Sequence, residues 1–486
     1  MPTALHAHEY DVAIVGCGVG GHAAALHSIT KGLKTAVFTA KDVGGTCVNR
    51  GCVPSKALLA ATGKIRMMKD SDNLQSLGVH FDSDLVNYDS KQVAKHASDL
   101  ASNVRDNLRN SLEANGVHVI DDAVELSGKN ELKSIDSASV YTAKNIILAT
   151  GSVPFVPPGV EVDGETVYTS DTALSLPSVP EYCAIVGSGY IGLEFSDVLT
   201  AMGTEVTFIE ALPDIMPTFD REIAKQAERI LIRPRPIDYR TGVFASEVIP
   251  GEIGKKPCTV KMIDAKTKEH VETIEPDAVM IATGRVPNTQ SLNLASCDIS
   301  TTRNFVDVDE TMRVKTTSGD VLDNIYAIGD CNGVMMLAHA ASAQGISAVE
   351  NICSNRHVVN HNNIPAACFT HPEISMVGYT EEQAAEKAKE EGWELAKSVG
   401  SFRANSKALA ENSGGGIAKV LYKKDTLEIV GVHIIGLHAA DLIQECANAM
   451  ATGTTLRELS MIVHTHPTLS EVLDEAFKGA VGMKTH

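Results

Sequence analysis

Two cysteines five residues apart lie in a glycine-rich run, Gly44-Gly45-Thr46-Cys47-Val48-Asn49-Arg50-Gly51-Cys52-Val53-Pro54-Ser55-Lys56. Of all the side chains in this sequence they are the best placed for redox chemistry. On an ideal helix, residues at this spacing sit roughly 8.6 Å apart by Cα, whereas a disulfide holds its Cα atoms about 4.4–6.8 Å apart. A bonded pair therefore requires a distorted first turn, which Gly51 permits, before a regular helix from about Ser55. Such a pair at a helix N-terminus has thiolates favoured by the helix dipole and is easily reduced. The alternative is two unlinked buried cysteines. The other eight, Cys17, Cys183, Cys258, Cys297, Cys331, Cys353, Cys368 and Cys446, show no zinc-type pairing and are expected to be small buried hydrophobes.

Thiol–disulfide exchange also needs a proton acceptor for the attacking thiol and a donor for the leaving thiolate. The segment His464-Thr465-His466-Pro467-Thr468-Leu469-Ser470-Glu471 offers a histidine and a carboxylate that could orient it. Pro467 fixes a turn, and Glu471 falls in the first turn of the next helix, from which it can reach back. His464 is expected to be structural. No third ligand has the spacing of a metal site, and none is expected.

These groups need elements to position them, and the sequence repeats one such element. Tyr10–Val15 reads as a strand running into Gly16-Cys17-Gly18-Val19-Gly20-Gly21 and then a helix. Tyr182–Val186 does the same into Gly187-Ser188-Gly189-Tyr190-Ile191-Gly192. A single G-x-G-x-x-G is weak evidence, but strand before and helix after is the context of a pyrophosphate site. Both copies also have an Ala-Thr-Gly partner, Ala149-Thr150-Gly151-Ser152 and Ala282-Thr283-Gly284-Arg285. Glu210 closes the second strand of module two, where it would bond ribose hydroxyls and repel a 2′-phosphate, favouring NAD over NADP. The equivalent position in module one is Thr39, a departure from the acidic pattern. Thr39 can give or take one hydrogen bond, or Asp42 can take over the ribose.

Asn324–Asp330 reads as a late strand of module one, so module two is nested inside it. After about Pro365 a helix over Thr380–Glu391, strands over Ile417–Tyr422 and Ile429–Ile434, and helices over Ala439–Ala451 and Leu469–Ala480 suggest a separate α+β domain. The fold class is α/β: two Rossmann-like dinucleotide-binding domains, the second inserted in the first, and a C-terminal α+β domain. The boundaries expected are 1–160 and 285–362 for the first, 161–284 for the second and 363–486 for the last. With 486 residues and a net charge of −19, the chain has no clustered cations for nucleic acid or anionic lipid, and no apolar run long enough to span a membrane. Met1–His8 leaves no room for a signal or transit peptide before the first strand.

The run Gly44–Lys56 resembles the active-site signature of the pyridine nucleotide-disulfide oxidoreductases, and of the dihydrolipoamide dehydrogenase group in particular. The resemblance covers essentially the whole chain, including both glycine loops, both Ala-Thr-Gly motifs, Gly329-Asp330, Leu337-Ala338-His339 and the C-terminal domain. It implies that Cys47 is the outer thiol meeting substrate and Cys52 the inner thiol facing FAD. It further implies that Lys56 lies near the flavin and pairs with Glu194, and that Asp330 binds the ribityl chain. Gly16, Gly18, Gly21, Thr39, Gly45, Thr46, Thr150, Gly151, Ser152 and Ala338 complete the implied FAD set. Gly187, Gly189, Tyr190, Gly192, Glu194, Glu210 and Gly284 form the NAD set, with Tyr190 resembling a gating tyrosine. His466 becomes the base and Glu471 its orienter, supplied across a homodimer formed by the last domain.

Pro54-Ser55-Lys56 together with Glu210 differ from the glutathione-reductase type, and no C-terminal cysteines follow as in mercuric or large thioredoxin reductases. Arg233–Ala245 and Gly20–His27 resemble the plastid and cyanobacterial branch. That implies the chloroplast stroma, or alternatively a cyanobacterial cytoplasm, and the lipoyl domains of a 2-oxoacid dehydrogenase E2 subunit as partner. Another flavin disulfide reductase, or a non-catalytic flavoprotein scaffold, is the competing reading.

Overall fold

The computed structural model describes residues 8–80, 82–174 and 178–483. Most of Met1–His8 and the terminal Lys484-Thr485-His486 lie outside them. The described residues form two compact units, one drawn from Met1–Ala57, Ala94–Phe155 and Gly284–His361, the other from Leu58–Val93, Val156–Thr283 and Asn362–His486.

The first unit opens with strand β1 (Tyr10–Val15), helix α1 (Val19–Thr30) and strand β2 (Thr35–Phe38). Helix α2 (Gly45–Arg50) and the start of helix α3 (Cys52–Lys69), which belongs to the second unit from Leu58 on, follow, and strand β3 (His118–Ile120) lies beyond them. β1 pairs in parallel with β2 on one side and with Val140–Leu148 on the other. β3 extends the sheet beyond β2, and Val321–Ala327 extends it beyond Val140–Leu148. Covered on both faces, these strands are runs of Val, Ile, Leu and Ala. Val12, Ile14, Ile146, Ile147 and Leu148 are fully buried, each contributing about 1.5–3 kcal/mol of transfer free energy. β1 lies in space between two strands that both follow it in the chain, so the strand order reverses there and opens a crevice at the strands' C-terminal ends.

The second unit repeats this plan. Tyr182–Val186 lies between Glu205–Glu210 and Ala278–Ile281, all parallel, with Ile237–Thr241 and Val167–Thr169 outside them. Arg235, in the singled-out Arg-Pro-Arg-Pro turn, bonds buried Asp197 at 2.6 Å. The same unit contains an antiparallel five-stranded sheet, in the order Ala366–Cys368, Glu373–Gly378, Ile429–Gly436, Ile417–Lys423, Leu395–Ser401. Helix Glu381–Glu391 is closed at its start by a capping box between Thr380 and Gln383. Helices Ala439–Thr452 and Glu471–Ala480 pack onto the core of Val432, Ile434, Leu473 and Phe477. Lys419 is buried in this unit, a position that demands charged partners. It finds Asp220 at 2.8 Å and Glu381 at 2.6 Å.

Two expectations change. The regular helix begins at Cys52 rather than near Ser55, because the break at Gly51 is confined to one residue. Cys353 is exposed, not buried, since it caps the C-terminal end of helix Ala338–Ile352, outside the core; the other seven of that group are buried.

Candidate active site and dinucleotide loops

The cysteine pair is built by a broken helix. Gly44, at φ 88°, starts α2, and Gly51, at φ −143° and ψ −115°, ends it before α3 starts at Cys52. A Cβ on Gly51 would lie 2.8 Å from the Thr46 carbonyl oxygen and 3.4 Å from the Cys47 Cα, so the chain can double back here only at glycine. The fold-back brings the Cys47 and Cys52 side chains into hydrogen-bond contact. That bond, followed by burial, pushes the Cys47 thiol well up, against the pull of Lys56. Cys52 is exposed and Cys47 half-buried. Asp42 braces the preceding loop, accepting from Arg50 Nη1 and Nη2 at 2.9 and 2.6 Å and from Asn49 Nδ2 at 2.9 Å. These bonds tie the Asp42 carboxylate to Asn49 and Arg50 of the cysteine turn.

The two glycine loops divide the labour that a bound pyrophosphate requires. A Cβ on Gly21 would stand 2.1 Å from the Gly16 carbonyl oxygen, and one on Gly192 2.3 Å from that of Gly187, so the third glycine lets helix and strand close up. The second glycine faces open space: nothing lies nearer than 4.0 Å to a Cβ on Gly18, and nothing within 4 Å of one on Gly189. Around the first loop, Thr150 keeps a buried hydroxyl with no partner among the described residues. A buried hydroxyl of that kind suits a ligand's polar atom. Ser152 donates to Asp330 at 2.5 Å and accepts from Arg285 Nε at 2.7 Å, while Arg285 Nη2 also reaches Thr46 at 3.4 Å. Three residues read separately from sequence, Thr46, Ser152 and Asp330, are thus joined by a fourth that the motif reading left unassigned. Its signal was present, since module two has Arg285 where module one has Ser152. Gly45 packs close against Gly18, and Ala338 opens helix Ala338–Ile352 without a side-chain cap. Gly151 has open space where its side chain would be. Gly284 lies in the first unit, accepting from the Phe155 N–H at 2.9 Å. These residues fit a dinucleotide in the first module.

In the second module Glu210 is buried and accepts from the Ser188 N–H at 3.1 Å and its hydroxyl at 2.7 Å, so the carboxylate stands directly under the loop. Tyr190 opens the following helix, Tyr190–Ala201, with its ring 4.7 Å from that of Phe219 and its hydroxyl donating to Met376 Sδ at 3.3 Å. Burial pushes the Tyr190 phenol well up. Glu194 on the same helix is buried and accepts from the Phe369 N–H at 3.0 Å. Lys56, in the first unit, lies 3.5 Å from Ser55 Oγ.

His466 Nδ1 and Glu471 Oε1 are 2.9 Å apart, with Glu471 the first residue of its helix. The other carboxylate oxygen accepts from the Thr468 N–H at 2.8 Å, which locks its orientation. Burial works against ionisation of Glu471, but the Thr468 N–H and His466 prevail and hold the carboxyl below its usual range. His466 is exposed, with its Nε2 edge turned away from the carboxylate it bonds. His464 is buried against Glu445 at 2.9 Å, consistent with a structural role.

A family model described as pyridine nucleotide-disulphide oxidoreductase matches residues 10–345, and the corresponding dimerisation domain matches residues 364–477. Dihydrolipoyl dehydrogenase 2, chloroplastic, of Arabidopsis thaliana is 57% identical over 97% of this chain and 82% of its own length. A dihydrolipoyl dehydrogenase of Synechocystis is 53% identical over 97% of this chain and 99% of its own. Among solved structures, LpdA of Mycobacterium tuberculosis matches with a TM-score of 0.85 at 26% identity, covering 96% of this chain and 99% of that one. A doubled-back cysteine pair, two nested dinucleotide modules and matches running the length of both domains lead to one conclusion: the chain belongs to the pyridine nucleotide-disulphide oxidoreductase family.

Proposed function

We propose that this protein oxidises protein-bound dihydrolipoamide to lipoamide and reduces NAD⁺, as the E3 component of a 2-oxoacid dehydrogenase complex such as pyruvate dehydrogenase. The observation that carries this reading is the likeness, across nearly the whole chain, to relatives named dihydrolipoyl dehydrogenase. In this reading residues 1–160 and 285–362 hold FAD, 161–284 hold NAD, and 363–486 form a homodimer interface. The plastid and cyanobacterial relatives favour the chloroplast stroma, or alternatively a cyanobacterial cytoplasm, as the site of action.

The chain's own groups account for the steps. Nε2 of His466, supplied across the dimer, takes a proton from one thiol of dihydrolipoamide. The resulting thiolate attacks Cys47 in the disulfide form, and the Cys47–Cys52 bond breaks to leave Cys52 as a thiolate. The second substrate thiol then displaces Cys47 from the mixed disulfide, closing lipoamide; of the two substrate protons, His466 passes one to the leaving Cys47 sulfur and the other is released to solvent, so the pair is left two electrons reduced as a Cys47 thiol and a Cys52 thiolate. Glu471 holds the tautomer that keeps Nε2 basic. FAD, which Thr46, Thr150, Ser152 and Asp330 would hold, would supply the two-electron relay from the dithiol to NAD⁺. The exposed Cys52 would be the thiol that passes electrons to it. Lys56 would lie near the flavin, Glu210 would bind the NAD ribose, and Tyr190 would act as the gating tyrosine of the NAD module.

Cys47→Ser tests the assignment. It should abolish dihydrolipoamide oxidation while FAD stays bound, and full retained activity would overturn the reading.

A further inference from the structure

The two modules of this chain can be superimposed through their own hydrogen bonds, and the comparison locates a missing carboxylate. The Gly187 N–H donates to the Ile209 carbonyl at 2.9 Å, and the Gly16 N–H donates to the Phe38 carbonyl at 2.9 Å. Ile209 is therefore matched by Phe38, Glu210 by Thr39, and Ser188 by Cys17. In module two the carboxylate of Glu210 stands under the loop through Ser188. In module one Thr39 is buried and carries no charge.

The charge sits one strand over. β3 continues the register of β2, with Phe38 paired to Ile120, so Thr39 is followed across the sheet by Asp121. Neighbouring strands are about 4.8 Å apart, and the Thr39 hydroxyl spans that gap, donating to Asp121 Oδ1 at 2.7 Å. Arg109 clamps the same carboxylate from the other side, with Nη1 to Oδ1 at 2.9 Å and Nη2 to Oδ2 at 3.0 Å. A turn with Ala40 at φ 47° and Lys41 at φ 65° folds the chain back, so that the Lys41 N–H donates to Thr39 Oγ1 at 3.0 Å. Two successive non-glycine residues in the left-handed region cost free energy, and such strain is retained where its surroundings enforce it. The carboxylate is also near enough to the first loop to be felt there: burial pushes the Cys17 thiol up to about 12, with Asp42 and Asp121 adding to that rise and Arg109 opposing it. Asp42 takes its side-chain bonds from Arg50 and Asn49 of the cysteine turn, whereas Asp121 is bonded to Thr39 itself. Asp121 remains part-exposed and ionised, held below the usual carboxylate range by Arg109 first and then Thr39.

We propose that Asp121, placed by Thr39 and Arg109, is the carboxylate that receives the adenosine ribose hydroxyls of FAD in this chain, the task having moved from the end of β2 to the end of β3. The inference rests on assigning the first module to FAD. It makes Arg109 a positioning residue, and it explains how a threonine can stand at a position where the repeat calls for an acid.

Full-length apoenzyme titrated separately with FAD and with FMN, each followed by quenching of flavin fluorescence, tests it. FMN carries the flavin, ribityl chain and one phosphate but lacks the adenosine half. Asp121→Ala should weaken FAD by about tenfold or more, the range of a lost charge-assisted hydrogen bond, and leave FMN within about twofold. Asp121→Asn, which Arg109 can still hold in place, should give a smaller loss in FAD alone. The double variant Thr39→Glu/Asp121→Ala should recover FAD affinity by returning the carboxylate to the end of β2. Unchanged FAD binding in Asp121→Ala and Asp121→Asn would overturn the proposal, and so would a parallel loss of FAD and FMN, which marks a structural role only. A wild-type apoenzyme that takes up neither flavin overturns the FAD assignment itself, and the proposal with it.

Discussion

Replacing Glu471 by Gln changes one atom's chemistry in a fixed frame. The Thr468 N–H holds one carboxylate oxygen at 2.8 Å, so in the variant the amide oxygen stays there and the amide nitrogen turns toward His466. The position 2.9 Å from His466 Nδ1 then holds a donor where it held an acceptor. Nδ1 must become an acceptor too, which places the imidazole proton on Nε2, the nitrogen assigned to take a proton from substrate. The variant loses a hydrogen bond to a charged group, about 1.5–3 kcal/mol. Expressed as a rate ratio, this is roughly ten- to 150-fold in kcat/KM for dihydrolipoamide. Steady-state NADH formation from dihydrolipoamide measures that loss. Anaerobic reduction of the bound flavin by NADH, which does not use His466, should proceed at the wild-type rate, and flavin content should be unchanged. Glu471→Asp, which keeps the charge at a shorter reach, should fall between the two. Turnover within twofold of wild type in Glu471→Gln would refute the reasoning, as would an equal loss in the NADH half-reaction.

Two further outcomes follow from the geometry. Gly51→Ala places a Cβ 2.8 Å from the Thr46 carbonyl oxygen and must push the two halves of the cysteine turn apart; dihydrolipoamide turnover should fall about tenfold or more with FAD retained, and unaltered turnover would show the turn to be compliant. His464 is held above the ordinary imidazole range by its hydrogen bond to Glu445 first, against the effect of burial, with Asp474 adding to the rise. Its folded value exceeds its unfolded one, so its stabilisation is full below the unfolded value of about 6.5 and is lost as pH rises through the folded value. The difference in melting temperature between wild type and His464→Gln should therefore shrink as pH is raised across that window, and a constant difference would contradict the assignment.

Much of this protein was legible in one dimension because its signals are local. A strand, a glycine loop and a helix occupy consecutive residues, so the doubled module could be read from Gly16–Gly21 and Gly187–Gly192 alone. The same holds for the reach of Glu471 back to His466, which spans one turn and one helix start. The spacing of Cys47 and Cys52 required a broken helix, and Gly51 marked where it would break. The sequence could not indicate that the Cys47 thiol is pushed up, because that depends on the partner sulfur and on burial. It could not show that Arg285 joins Thr46 and Ser152, and through Ser152 Asp330, since those residues lie far apart along the chain and meet only when the strands Ser152–Pro154 and Arg285–Pro287 pair. Nor could it decide the question raised by Thr39. Asp121 lies 82 residues away, and only the parallel pairing of β2 with β3 brings its carboxylate within reach of that hydroxyl. The sequence by itself determined the modules, the doubled-back Cys47–Cys52 pair and the His466–Glu471 pair, all of which are set by short-range geometry. The tertiary structure alone decided which distant side chains complete each site, because sheet register and burial are properties of the packed chain.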